Sequence, residues 1–246
     1  MIFVDADKKP EVYFGLFSFK MSLYFWDKDV HMTRLIRVDV DTIERIVPLS
    51  KELDRKTKIQ QQKQAIYHYR NQLLSQQLET TIQQEDFATT QHGKPYLVKS
   101  PKFYFNHSHS QKNYALATST HMQDLGVDIE DLDRKVRFEA LAAHAFHPNE
   151  LQHWNELEHD RNYWFKVWTT KEAVLKASGL GIHLNLNELE TQVHPVYDGG
   201  LCTHPLIGTF AYQNFNLGHV MLTVAWRSEA SCKGFAFPEI KIFFPS

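Results

Sequence analysis

Cysteine is nearly absent from this 246-residue sequence: only Cys202 and Cys232 occur, and they share no metal-binding or redox spacing. That argues against a disulfide framework and a cysteine-built metal centre, and makes two reduced thiols in an intracellular protein the expectation. An excess of charge of one sign is lacking too. Lys and Arg number 27 against 29 Asp and Glu, a formal net charge of −2. No global field marks the chain as a nucleic-acid binder, so any anion site must come from local clustering. Long hydrophobic runs are missing. The most apolar window, Val12 to Trp26, is interrupted by Lys20 and is too short to span a bilayer. The first ten residues carry Asp5, Asp7, Lys8 and Lys9, unlike a signal peptide. The expectation is a soluble, cytoplasmic protein with no membrane segment, no internal repeat and no low-complexity linker.

What is present suffices for one large domain or two small ones, with 43% hydrophobic residues and 17 Phe to fill a core. Tyr13–Phe19 and Ser22–Trp26 are aromatic and strand-like, and Leu35–Val40 alternates as a strand does. Asp41–Val47 reads as a short helical turn before Pro48. From Ser50 to about Leu78 a polar, basic helix is expected, with a stripe of Leu53, Ile59, Ile66, Tyr69, Leu73 and Leu74. Gln91–Tyr96 is a turn, since Gly followed by Lys-Pro cannot continue a helix. Short strands follow at Lys102–Phe105, Tyr114–Thr118 and Leu125–Glu130, then helices over Arg137–Phe146 and from Pro148 through Trp154. The stretch Asn162–Ile182 reads as a helix with Thr169 as N-cap, Glu172 at capping-box spacing and Gly179 as its stop. Beyond it, Leu206–Tyr212 and His219–Trp226 are strand-like, and the apolar tail Phe235–Phe244 packs down.

Three of these stretches carry chemistry. Residues two apart on a strand face the same way, so Asp128 and Glu130 present paired carboxylates while Ile129 turns into the core. Such a pair needs a cation or a proton, and hard oxygen ligands of this kind suit Mg²⁺ shared with substrate phosphates. The same D-x-E pattern also occurs on solvated strand faces. Glu172 and Lys176, four apart on one helix, set a third carboxylate beside an ammonium, a spacing that ordinary surface ion pairs share. Finally, Phe105-Asn-His-Ser-His-Ser gathers hydroxyls, backbone amides and an imidazole after a strand. His107 and His109 could ligate zinc, but no partner Cys or His sits at a familiar spacing, and an anion cradle suits the segment better.

Taken together, GKPYL and FNHSHS, then GVDIE, then WTTKEAVLKASGLGI resemble the signature motifs of the 4′-phosphopantetheinyl transferases of the larger, Sfp-like type, in wording, order and spacing. The resemblance is strong from Gly93 to Ile182. It implies an α+β fold made of a pseudo-twofold pair of similar α+β subdomains, here residues 1–121 with a variable N-terminal extension and residues 122–246 with the metal site. It implies a monomer that moves the 4′-phosphopantetheine arm of coenzyme A to a serine of an apo acyl or peptidyl carrier protein, releasing adenosine 3′,5′-bisphosphate. By motif position Asp128, Glu130 and Glu172 would hold Mg²⁺. Lys176 would contact the phosphates, Ser108 and His109 would touch the coenzyme A phosphates, and Gly93, Lys94 and Pro95 would line the nucleotide. Glu172 and Lys176 would be the catalytic pair. Relatives grip the 3′-phosphate with basic residues from the first half, for which Arg70 is the choice here over Arg55, Lys56 and Lys58. A Mg²⁺-dependent phosphohydrolase and a non-catalytic carrier-binding relative are the alternatives.

Overall fold

The computed structural model describes residues 34–48, 54–228 and 237–245. The strand-like segments expected at Tyr13–Phe19 and Ser22–Trp26, together with Cys232, lie outside the described residues. The chain order is β1 (Leu35–Thr42), α1 (Ile43–Ile46), α2 (Arg55–Leu78), a hairpin of β2 (Phe87–Thr89) and β3 (Pro95–Leu97), β4 (Tyr104–His109), β5 (Asn113–Ser119), β6 (Leu125–Asp131), α3 (Phe138–Ala145), α4 (Pro148–Glu156), α5 (Arg161–Ser178), β7 (Gly199–His204), β8 (Gly208–Asn216), β9 (Val220–Arg227) and β10 (Glu239–Phe243). The fold is α+β. One four-stranded sheet runs β10-β1-β5-β4 and another β6-β9-β8-β7, while β2 and β3 form a small sheet of their own.

Strand alternation explains how these sheets are covered. On β1 the inward set Ile36, Val38 and Val40 meets Ala115 and Ala117 of β5. The same core holds Leu125, Val127 and Ile129 of β6 and Leu222 and Val224 of β9, so the two large sheets pack on each other. The opposite face of the first sheet lies under α2, through Ile66 and Leu74 against Phe105, Tyr114 and Leu116. Two aspartates of β1 turn to that face and are answered there: Tyr69 donates to Asp41 at 2.7 Å and Gln77 to Asp39 at 2.9 Å. The outer face of the second sheet lies under α5, whose Trp164, Phe165, Val174 and Ala177 share a core with Phe210, Tyr212 and Met221. No helix among the described residues is long and apolar enough to cross a membrane.

Several elements depart from the sequence expectation. Helix α5 begins eight residues before Thr169: Asp160 is its N-cap, accepting from the Tyr163 amide at 2.6 Å. Thr169 is an interior residue whose hydroxyl donates to the Phe165 carbonyl at 2.7 Å and meets Thr223 of β9 at 2.6 Å. Helix α2 starts at Arg55 behind an Asp54 cap that accepts from the Lys56 and Thr57 amides. Strand β4 does not end at Phe105 but continues through His109, because each of its residues finds a partner on β5. Strand β7 was not foreseen, and the apolar tail supplies β10, which runs parallel to β1 from Leu35↔Glu239 to Asp39↔Phe243.

Candidate functional site

The two large sheets meet at a seam between their edge strands β4 and β6, where Asn106 Oδ1 accepts from the Val127 amide at 2.9 Å. Helix α5 lies over this seam at unusually close range, and Gly126 is the reason. A Cβ at that position would stand 2.1 Å from the Ala173 carbonyl oxygen and 2.5 Å from the Ala177 nitrogen, so only glycine lets the helix backbone settle there. Asp128 follows two residues later on the same face of β6, beneath the next turn of the helix.

Three side chains from three elements converge at this point. Ser108 Oγ of β4 donates to Asp128 Oδ1 at 2.8 Å. The Lys176 ammonium of α5 reaches Asp128 Oδ1 and Ser108 Oγ, both at 2.7 Å. Asp128 and Ser108 are buried. The other oxygen of Asp128, Oδ2, is buried without a hydrogen-bond partner, a costly state for a carboxylate oxygen.

The neighbouring acids feel that charge. Burial, and then the Asp128 carboxylate, raise the pKa of Glu172, while Lys176 and Arg134 pull it back. Burial and Asp128 push Glu130 up to about 7, against the opposing pull of Arg134. Yet the three acids are not gathered as the sequence suggested. Glu130 is turned to an ion pair with Arg134 and to the Trp168 indole, which donates to it at 3.1 Å. Among the described residues no group of three or more His, Cys, Asp or Glu side chains stands close enough to hold a metal ion. That also leaves the zinc reading of His107 and His109 without a third ligand.

The expected binding residues distribute over two cavities. One, of about 660 Å³, is walled by His92, Gly93, Lys94 and Pro95 on one side and by Glu172 and Lys176 on the other. Its turn is built by a Gly93 amide donating to the Thr90 carbonyl at 2.9 Å, with Gly93 at φ 86°, where glycine carries no Cβ penalty. The second, of about 680 Å³, is lined by His109, Glu130, Arg134 and Lys112. Ser108 lines neither, and nor does Arg70. Its guanidinium is buried 4.0 Å over the Phe87 ring and 4.9 Å over Tyr67, and it donates to Asn71 at 2.8 Å. Burial lowers its pKa, and none of its hydrogen bonds reaches a carboxylate. Sequence reasoning missed Asn106, Arg134 and Trp168. The signal for the last was available: Trp168, Glu172 and Lys176 recur every four residues and so form one stripe along α5.

Comparison with known proteins follows this geometry. Residues 124–217 match the sequence model of the 4′-phosphopantetheinyl transferase superfamily. The chain is 37% identical to slr0495 of Synechocystis sp., which carries the same transferase designation, over 123 residues, covering 48% of this chain and 49% of that one. It is 37% identical to the 4′-phosphopantetheinyl transferase HetI of Nostoc sp. over 118 residues, 46% of this chain and 49% of HetI. Against the 4′-phosphopantetheinyl transferase Sfp of Bacillus subtilis the figure is 29% over 110 residues, 44% and 47% of the two chains. The matches span about half the length of these relatives. The stretch that supplies Asp128, Glu172 and Lys176 is thus the part of the chain that is similar to the 4′-phosphopantetheinyl transferase superfamily.

Proposed function

We propose that the protein transfers the 4′-phosphopantetheine arm of coenzyme A to a serine of an apo carrier protein. The observation that carries this reading is the meeting of Lys176, Ser108 and Asp128 at 2.7–2.8 Å beside a cleft walled by Gly93, Pro95 and Glu172. A cleft of about 660 Å³ lined by the Lys176 ammonium, which also reaches the Ser108 hydroxyl, suits a nucleotide phosphate. The motif resemblance supplies the identity of the nucleotide.

The residues also suit Mg²⁺. Asp128 Oδ2 is buried and unpartnered, and Glu172 resists ionisation because it is buried and, next, because Asp128 is near. A hard divalent ion needs only one or two protein carboxylates when substrate oxygens complete its shell. Asp128 and Glu172 are the assigned ligands, and Glu130 joins them only on release from Arg134. Bound there, the ion would offset phosphate charge.

The chain's own groups then do the following. The carrier serine oxygen forms a bond to the phosphorus that bears the pantetheine arm, and the bond from that phosphorus to the departing phosphate of adenosine 3′,5′-bisphosphate breaks. Glu172 accepts the serine proton, a role favoured by its raised pKa. Lys176 faces the charge that collects on the departing phosphate. Ser108 donates to the same oxygens once a phosphate displaces Asp128 from it. His109 contributes from the second cavity, and Arg70 acts from behind the sheet as a source of positive potential. The division into residues 1–121 and 122–246, a monomeric state and a cytoplasmic setting complete the proposal.

Incubation with coenzyme A, Mg²⁺ and an apo carrier tests this. The expected result is a mass gain on the carrier of one phosphopantetheine. Cleavage of coenzyme A without a carrier would favour the phosphohydrolase instead. Glu172→Gln is expected to abolish transfer while calorimetry still detects coenzyme A binding; normal turnover by that variant would remove Glu172 from the role of base.

A further inference from the structure

The hairpin of β2 and β3 forms one wall of the first cleft, yet it belongs to neither large sheet and its strands are three residues long. Its tip is fastened to the opposite wall by one side chain. Lys94 Nζ donates to the Ala177 carbonyl at 2.8 Å and to the Leu125 carbonyl at 3.1 Å. Ala177 lies in the last turn of α5, where carbonyls have no amide ahead of them in the helix. Leu125 opens β6. One ammonium thus caps the helix that carries Glu172 and Lys176 and pins the strand that carries Asp128.

Several features favour this contact. A cation at a helix C-terminus meets the negative end of the macrodipole. The lysine stem packs along Gly179, where a Cβ would meet its Cδ at 3.4 Å, an ordinary contact distance. The backbone that presents Lys94 is itself held, since its carbonyl accepts from Thr90 N at 2.9 Å and its amide donates to Thr90 Oγ1 at 3.1 Å. Burial pulls its pKa down to about 8, the sign of an ammonium taken out of water to make these bonds.

We propose that Lys94 is a positioning residue, a latch whose ammonium ties the β2–β3 hairpin to the end of α5 and the start of β6 and so sets the width of the cleft. This deepens the reading above, on which it rests for the identity of the cleft's occupant. It departs from the simplest expectation for a lysine in a nucleotide-lining turn, which is direct contact with a phosphate. A latch holds the walls for any occupant, whereas a phosphate ligand discriminates by phosphate.

The full chain and its Lys94→Met and Lys94→Arg variants distinguish the two. Hydrogen exchange is followed in residues 87–97 and in the last turn of α5, and calorimetry measures binding of coenzyme A and of dephospho-coenzyme A, which lacks the 3′-phosphate, over a range of salt. Loss of charge-assisted hydrogen bonds to two carbonyls predicts that Lys94→Met weakens both ligands by the same factor, about tenfold. The salt dependence stays that of the wild type, and exchange quickens in both segments. Lys94→Arg, which keeps donors for both carbonyls, restores protection at least in part. Unchanged exchange at the end of α5 in Lys94→Met, or a loss confined to the 3′-phosphorylated ligand, would overturn the latch. A wild-type protein that binds neither ligand would overturn the coenzyme A reading, and the exchange comparison alone would then decide the latch.

Discussion

His107 sits inside the FNHSHS motif but on the opposite face of β4 from Ser108, packed edge-on to Tyr67 at 6.0 Å and tilted against Tyr114 at 5.8 Å. Its Nδ1 is buried without a partner. Burial, then the positive charges of Arg70 and Lys176, hold its pKa down to about 3. The sign of the linkage follows. Between the ordinary histidine value of 6.5 and about 3 the unfolded chain takes up a proton that the folded chain refuses. Stability therefore falls as pH drops through that window, by at most about 1.4 kcal/mol per pH unit from this residue, and levels off below it. Phe keeps the ring packing and removes the unsatisfied nitrogen. Urea unfolding of His107→Phe between pH 7 and pH 4 should show a flatter acid limb than the wild type, with no loss at pH 7. An identical slope would mean that other groups govern acid sensitivity. The same alternation settles a matter that spacing leaves open: the motif is divided by a strand, with its serine toward Asp128 and a histidine toward α2.

At the level of elements, Gly126 decides whether α5 can deliver Glu172 and Lys176 to Asp128. Gly126→Ala would drive a methyl group into the Ala173 carbonyl, and backbone on both sides leaves no flexible atom to yield. The expected cost is at least about 2 kcal/mol, read as a lower denaturant midpoint, with transfer falling further than stability because the helix must lift away from Asp128. Full activity in that variant would show that the close approach is dispensable. Much of this arrangement was legible beforehand. Period-two alternation placed Asp128 and Glu130 on one face of β6 and Ile129 in the core, and the i, i+4 spacing put Glu172 beside Lys176. What was lost belongs to tertiary context. The Thr169–Glu172 capping-box spacing arises in a helix interior because a buried threonine can hydrogen-bond its own helix and β9. The extension of β4 through His109 depends on β5, and β7 exists because β8 offers it an edge. The burial of Arg70 among rings depends on a hairpin that brings Phe87 over it. Most hidden of all is the Lys171–Glu150 pair, fully buried at 2.7 Å, with Lys171 also donating to the Leu186 carbonyl at 2.8 Å in the cleft wall. In the sequence Lys171 is one more charged residue of a basic helix.

For the whole molecule, the path of the chain cuts across the proposed division into halves. Strand β10 comes from the far end of the sequence, yet it closes the first sheet by pairing in parallel with β1. Ile242 of that strand is buried in the core between the sheets, and Arg37 of β1 lies 4.2 Å over the Phe243 ring. The strand therefore clamps the sheet that carries Ser108 to the sheet that carries Asp128. A chain truncated after residue 236 would lose these contacts. Emptying the Ile242 site alone should cost about 2–5 kcal/mol. Strand β1 would then become an edge, with unpaired amides and carbonyls flanking its apolar Ile36 and Val38, which favours pairing between chains. The expected outcome is a lower melting temperature together with concentration-dependent self-association in size-exclusion chromatography. Coenzyme A binding at low temperature should weaken less than stability, since β4, β6 and α5 keep their direct contacts. A truncated protein that stays monomeric and melts with the full chain would show that the first sheet is complete without its last strand. The seam between β4 and β6, with the core that β1 and β5 share with β6 and β9, would then hold the two sheets together without it.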